Sequence, residues 1–242
     1  MLRTPAPLKG ALGVTEVMEL TVKMALEVQI DSLIWLFRDR TRLLDRHIAD
    51  IDRDLNRRAK DLTDSLNAEL ESCPDHERDE IRSVYSEHIS EVAEDIPNLH
   101  RRSYLITTMS LLENLMHSIA TRVGVYKREQ NPQLEVPNIG IDKSMRFLRD
   151  VLGIAIPNNN LWTEIRMAQD FRNCIAHANG NTKGSRRAAE IAKHLSQISL
   201  IQANRQGDLL FGEEYLPALL ETTLEFAEQL VLSVTQTVRS AT

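Results

Sequence analysis

Between Phe171 and Asn181 the chain reads FRNCIAHANGN, which brings a guanidinium, a carboxamide and an imidazole together as Arg172, Asn173 and His177. A fixed cation can neutralise charge on a phosphate, an amide can orient a neighbouring group, and an imidazole can accept or donate a proton. Together they suit phosphodiester cleavage, with His177 moving a proton from an RNA 2′-hydroxyl or to the leaving oxygen. The helical spacing sharpens this. Leu161, Ile165, Ala168, Arg172 and Ile175 follow one another at spacings of four, three, four and three, so they share a face. Arg172 is the one charge on that apolar seam. It needs an anionic partner or a wet cleft, because an unpaired buried ion is costly by several kcal/mol, about the effective penalty for buried charges. Asn173 and His177 lie about 40° apart on an ideal helix, whereas Arg172 and His177 lie about 140° apart. A long side chain or a second subunit would close that gap.

Spacing alone does not single this segment out, since Arg42 with His47, Arg82 with His88 and Arg187 with His194 offer comparable pairs. What separates it is the Asn after the Arg, the small apolar spacers, and the Asn179-Gly180 stop that ends a helix in the left-handed region. His177 falls in the last turn, where the helix dipole favours a cation. Glu113 and His117 share a face of an earlier helix, and Glu113 is the candidate partner for Arg172. Lys183, Arg186 and Arg187 follow the motif and, with Arg166, make this part of the chain locally basic, so RNA backbone could rest there. The alternative is a solvated charged face, for no aromatics are interleaved to stack on bases. Gly180-Asn181-Thr182-Lys183-Gly184-Ser185 is not a phosphate loop, because its lysine precedes the second glycine and no strand leads into it. There is no HExxH, GxSxG or GxGxxG and no ligand-spaced histidine pair, so no metal or cofactor is expected.

The elements that must position these residues are helical. With 26% charged residues, 42% hydrophobic residues, 9 Gly and 8 Pro in 242 positions, the composition describes long helices around a core. A net charge of −6 argues against coating nucleic acid non-specifically. Cys73 and Cys174 form no CxxC pair, which points to neither a disulfide framework nor a zinc site. The opening MLRTPAPLKGALG has no apolar core of a signal peptide and no stretch suits a bilayer span, so a cytoplasmic protein without membrane contact is expected.

From Val14 to Phe37 apolar residues are dense on more than one face, predicting a helix buried on several sides. Beyond Arg38 a single stripe remains: Leu44, Ile48, Ile51, Leu55, Leu62, Leu66 and Leu70. Ser72-Cys73-Pro74-Asp75 breaks the helix, and a second stripe, Ile81, Val84, Ile89, Val92 and Ile96, runs to Pro97. The pair predicts an antiparallel hairpin over the extended N-terminal part, residues 1–98. A core of residues 99–242 follows. Its first helix runs from Leu99 to Val123 with Leu105, Met109, Leu112, Met116, Ile119 and Val123 on one stripe. Residues 124–140 read as a loop, Ile141–Leu152 as a short helix, and Pro157 to Asn160 as the cap of the helix Leu161–Ala178. A short helix over 184–195, a small β-hairpin around Asn204-Arg205-Gln206-Gly207 and a last helix over 214–238 complete the expectation.

FRNCIAHANGN resembles the Arg-Asn-x-x-x-His motif of the HEPN superfamily, the higher eukaryotes and prokaryotes nucleotide-binding domains, and SYLITTMSLLENLM at 103–116 resembles its earlier core helix. The resemblance covers roughly residues 99–238 and leaves out the long hairpin. It implies an all-α bundle and a homodimer that brings two motifs together. It also implies a metal-independent endoribonuclease of toxin-antitoxin or antiviral-defence systems, with an antitoxin or defence protein as partner and a 2′,3′-cyclic phosphate product. A branch of the superfamily carries a tyrosine two residues after the His; position 179 is Asn here. The competing expectations are a catalytically silent interaction module with the hairpin as its working end, and nucleotide binding without cleavage.

Overall fold

The computed structural model describes residues 14–128, 131–157 and 159–240. The opening segment Met1–Gly13 and the cap residue Asn158 lie outside the described residues. The architecture is all-α with one small sheet. Helix α1 (Val14–Ser72) is followed by α2 (Arg78–Ser90), α3 (Ile96–Arg128), α4 (Ile141–Arg146), α5 (Asn159–Ala178) and α6 (Ala188–Leu195). Strands β1 (Ile201–Ala203) and β2 (Leu209–Phe211) then lead into α7 (Tyr215–Ser240). Helices α1, α3, α5 and α7 form the bundle: α3 packs on α1 and α5, and α7 packs on the same two. Its core is drawn from the expected α3 stripe, Leu105 through Val123, from Ile165, Ala168 and Phe171 of α5, and from Leu216, Phe226, Leu230 and Val234 of α7. Among the described residues no helix is long and apolar enough to cross a membrane.

Helix α1 departs from the expectation of burial on several sides. Only one stripe is buried, Leu26, Ile30, Ile34, Phe37, Thr41 and Ile48, because α1 lies at the edge of the bundle and meets α3 and α7 on a single side. Met24, Val28 and Trp35, which fall on one outward face, are exposed, Trp35 to 62%.

The predicted hairpin is present. Cys73-Pro74 ends α1, a single 3-10 turn Asp75–Glu77 follows, and α2 returns antiparallel along α1. The seam is half-buried, from Leu62, Leu66 and Leu70 against Ile81, Tyr85 and Ile89. Val84, expected in that seam, is exposed, and Tyr85 takes the place, four residues from both Ile81 and Ile89.

The expected break at Pro97 does not occur. The chain passes from α2 through a wide π turn, Glu91–Asp95, into α3, with the Ile96 N–H reaching the Glu91 carbonyl five residues back. That looser turn admits a proline, which has no N–H to give and a ring that would crowd a tighter turn. The expected boundary at residue 98 therefore falls inside a continuous helix. Helix α3 also runs beyond Val123 to Arg128, with Gly124 and Tyr126 buried inside what reads as a loop. Gly124 explains the extension: a Cβ there would lie 3.0 Å from Val136 and 3.1 Å from the Phe147 ring, so a glycine lets the neighbouring segments close on the helix. The short helix expected over 141–152 is α4 continued by a second π turn, Phe147–Val151.

The small hairpin lies where the sequence placed it. Strands β1 and β2 pair antiparallel with Gln202 opposite Leu210, and the Asn204-to-Gly207 turn is closed by Gly207 N–H to the Asn204 carbonyl at 3.0 Å. Its consequence is positional. The segment leaving α5 adds to β2, since Leu209 N–H reaches the Gly180 carbonyl at 3.0 Å and Thr182 N–H the Gly207 carbonyl at 2.8 Å.

Candidate functional site

Helix α5 turns three faces to three environments. Ile165, Ala168, Phe171 and Cys174 are buried in the core. Arg172 stands beside Ile165, Ala168 and Ile175, as its spacing requires, and is half-buried there. Its Nη1 donates to the neighbouring Asn173 Oδ1 at 3.1 Å. Glu113 is half-buried on α3, and the expected pairing does not form: among the described residues neither Glu113 nor Arg172 enters an ion pair. Arg172 thus meets its charge requirement by partial exposure and one amide contact. The guanidinium is not sealed against a carboxylate.

The third face carries Asp170, Asn173 and His177, at spacings of three and four. These residues line an open cleft of about 580 Å³ together with Ala178, Gly184, Ser185, Arg186 and Arg187. His177 is exposed at the helix end. Arg172 does not line this cleft, in keeping with its place about 140° around an ideal helix from His177. Asn173 touches both environments, lining the cleft while accepting from Arg172.

The cleft wall is held by the chain that leaves α5. Asn179 and Gly180 both have positive φ, 51° and 78°, which ends the helix as the Asn-Gly pair predicts. Gly180 N–H returns to the Cys174 carbonyl at 3.1 Å. A side chain at Gly180 would also meet the Arg102 guanidinium, 2.9 Å from the built Cβ. That guanidinium is a brace: Nη1 donates to the Asn179 carbonyl at 3.2 Å and Nη2 to the Leu209 carbonyl at 2.8 Å. Arg101 beside it donates to the Phe211 carbonyl and to Asp52 of α1. Asn181 completes the exit, its side chain accepting from the Lys183 and Gly184 N–H groups and donating to Asp208.

The four basic residues proposed for RNA backbone divide. Arg186 and Arg187 line the cleft. Arg166 is paired with Asp142 of α4. Lys183 turns to the β-hairpin, with Nζ 2.8 Å from the Arg205 carbonyl. A cluster that spacing did not reveal lies behind Arg187: Asp170, 4% exposed, pairs with Arg187 and lies 3.0 Å from His194 Nε2. Its signal was present as a carboxylate three residues before Asn173 and seven before His177, on their face of the helix.

Cys174 is buried behind the motif, and burial pushes its thiol up, against smaller opposing effects of the Ser185 hydroxyl and the Arg102 charge. A thiol held protonated in the core is not a nucleophile for this site. Among the described residues no group of three His, Cys, Asp or Glu side chains is placed to hold a metal ion. A separate cleft of about 320 Å³, between α5, α7 and the segment before β1, is lined by Glu164, Met167, Leu200 and Tyr215 among others and has no basic residue.

Comparison with protein-family models, curated proteins and solved structures finds no match to this chain.

Proposed function

We propose that this chain is a metal-independent endoribonuclease of HEPN type, acting in the cytoplasm as a toxin or antiviral-defence effector. The observation that carries the reading is the disposition of the Arg-Asn-x-x-x-His segment. It places His177 and Asn173 in a cleft lined by Arg186 and Arg187 and leaves the Arg172 guanidinium partly exposed, with no carboxylate partner among the described residues. In the proposed reaction the RNA 2′-oxygen bonds to phosphorus and the bond to the 5′-oxygen breaks. The products are a 2′,3′-cyclic phosphate and a 5′-hydroxyl. His177 accepts the 2′-hydroxyl proton or supplies one to the departing 5′-oxygen. Arg172 neutralises the charge that builds on the phosphoryl oxygens. Because Arg172 and His177 leave α5 in different directions, two copies of the chain facing each other would unite the two groups. A homodimer is therefore part of the reading, and an antitoxin or other defence protein is its natural inhibitor or trigger.

The test is cleavage of total RNA and of tRNA by the purified chain in EDTA, with product ends mapped. Arg172→Ala is expected to lower the rate by about 10²–10³, the range for losing one donor to developing charge. His177→Ala is expected to lower it by about 10²–10⁴. Cleavage that survives both substitutions sinks the reading.

The outward apolar face of α1 supports a second reading, a catalytically silent module that binds another protein through its extended N-terminal part. Met24, Val28 and Trp35 are exposed on that face, an arrangement more usual at binding surfaces than on free monomers. Toxicity on expression in a bacterial host separates the two. The enzyme is toxic and His177→Ala relieves it, whereas a silent module behaves the same with either residue.

A further inference from the structure

The cations that share a cleft with His177 within one chain are Arg186 and Arg187, not the arginine of the motif, and of the two Arg187 is the one anchored on a carboxylate. Arg187 is the cap residue just before α6, its backbone N–H donates to Ser185 Oγ at 3.2 Å, and its guanidinium is anchored on Asp170. Asp170 is itself fixed. It is 4% exposed and holds His194 Nε2 at 3.0 Å, and the His194 ring stands edge-on to Phe171 with centroids 6.0 Å apart. A buried carboxylate needs charged partners, so Asp170 keeps Arg187 in one place. One arm of the guanidinium is occupied, and the Arg187 side chain remains 44% exposed on the cleft side. The five N–H groups of a guanidinium lie in a rigid fork that matches phosphate oxygens in pairs. The charged residues lining the cleft are Asp170, Arg186 and Arg187, giving one net positive charge in a chain whose total is −6. Asn173, His177 and Ser185 supply the remaining polar side chains of the wall.

We propose that this cleft is the RNA phosphate-binding site, with Arg187 as the residue that holds the phosphate beside His177 and Asp170 as its positioning residue. The inference rests on the ribonuclease reading for its substrate. It separates the roles of the two arginines: Arg187 holds the phosphodiester in the ground state, and Arg172 acts on the charge that develops during reaction.

The probe is a fluorescent 2′-O-methyl RNA oligomer, which lacks the attacking hydroxyl, bound by the full chain across a range of salt. Arg187→Ala is expected to weaken binding about tenfold, the effect of one charge-assisted contact. It also lowers the slope of log affinity on log salt by about 0.7, the share of one single-strand phosphate. Arg187→Lys keeps the slope and recovers only part of the affinity, since a point charge replaces a fork. Asp170→Asn is the decisive sign. It adds a net positive charge, which would tighten RNA binding if charge alone mattered, whereas loss of the positioned fork weakens it. On RNA with a free 2′-hydroxyl, Arg187→Ala raises KM more than it lowers kcat, and Arg172→Ala does the reverse.

Wild-type chain that does not bind the oligomer overturns the inference, as does Arg187→Ala with unchanged affinity and slope, or tighter binding by Asp170→Asn. The Arg187 arm decides the matter even where Asp170→Asn does not fold, because Arg187 is a partly exposed side chain. If wild-type binds with an Arg187-dependent slope but cleaves no RNA, the phosphate site stands and the ribonuclease reading fails. If it cleaves RNA while Arg187→Ala binds as wild-type does, the reverse holds.

Discussion

The arm formed by the end of α1 and by α2 and the motif helix α5 are both amphipathic, yet they are stabilised in different ways. In α2 no residue is buried. The distal arm relies on one half-buried seam and on ion pairs such as Arg58 with Asp54 and Arg78 with Asp75, made within a turn or two of the chain and open to solvent. Exposed pairs of this kind contribute about 0–1 kcal/mol each. Helix α5 by contrast buries Ile165, Ala168 and Phe171 completely, and complete burial contributes roughly 1.5–3 kcal/mol for a large apolar side chain. Its exit is tied to β2 and braced by Arg102. The contrast teaches where fixed geometry is concentrated. Arg172, Asn173 and His177 stand on a helix packed into the bundle, and α2, which buries no residue, carries none of them.

The difference between the two regions is largest in the core. Phe171→Ala removes a fully buried ring that meets Phe211 and His194 edge-on. It should lower unfolding free energy by about 3–5 kcal/mol, measured by urea denaturation. Ile89→Ala in the arm should cost about 1 kcal/mol or less, because its side chain stays half exposed. Equal losses at the two sites would mean that the arm is as tightly held as the bundle. Hydrogen exchange sharpens the same contrast, with amides of Arg78–Ser90 expected to exchange through local opening well before those of Ile165 to Cys174.

A smaller loss is expected at the end of α5. Gly180→Ala places a Cβ at φ 78° and within 2.9 Å of Arg102. A non-glycine residue in the left-handed region costs about 1–3 kcal/mol. The loss should appear both in denaturation and in weaker protection of the Leu209 amide, whose acceptor is the Gly180 carbonyl. Without a change in that amide the exit strand is not set by Gly180.

Much of this arrangement was legible in the sequence because it depends on local rules. The α3 stripe, the Cys73-Pro74 break, the Asn179-Gly180 stop and the Asn204-to-Gly207 turn each follow from periodicity or backbone preference and appear where expected. What was not legible depended on partners. The apolar residues of α1 do not say how many neighbours the helix has, and only one side found them. Pro97 signals a break, but the π turn before it changes the hydrogen-bonding frame so that the helix continues. In the site, the faces of α5 were correct, including the divergence of Arg172 from His177. The Asp170, Arg187 and His194 cluster joins residues 17 and 24 positions apart, and no periodicity links α5 to α6. Glu113 illustrates the converse: it had suitable spacing on α3, and Arg172 found Asn173 instead.

The two cysteines give the finest test of the contrast, one in each region. Cys174 is 1% exposed beneath the motif, and burial raises its thiol above the ordinary range. Cys73 is half-buried at the arm tip, with Sγ 3.8 Å from the Leu70 carbonyl. Only a thiolate reacts with an aromatic disulfide reagent, so at pH 7 Cys73 should react first and Cys174 only as the bundle unfolds. The sign of the pH effect follows. An acid that folding holds protonated adds stability that is fully present below the thiol range of the unfolded chain and is lost as pH rises from there through the raised value of the folded chain. Raising the pH should therefore destabilise the wild-type chain slightly more than Cys174→Ala, measured relative to each protein at pH 7. Equal reaction rates for the two thiols at neutral pH would show that the motif helix opens as readily as the arm, which its packing does not allow.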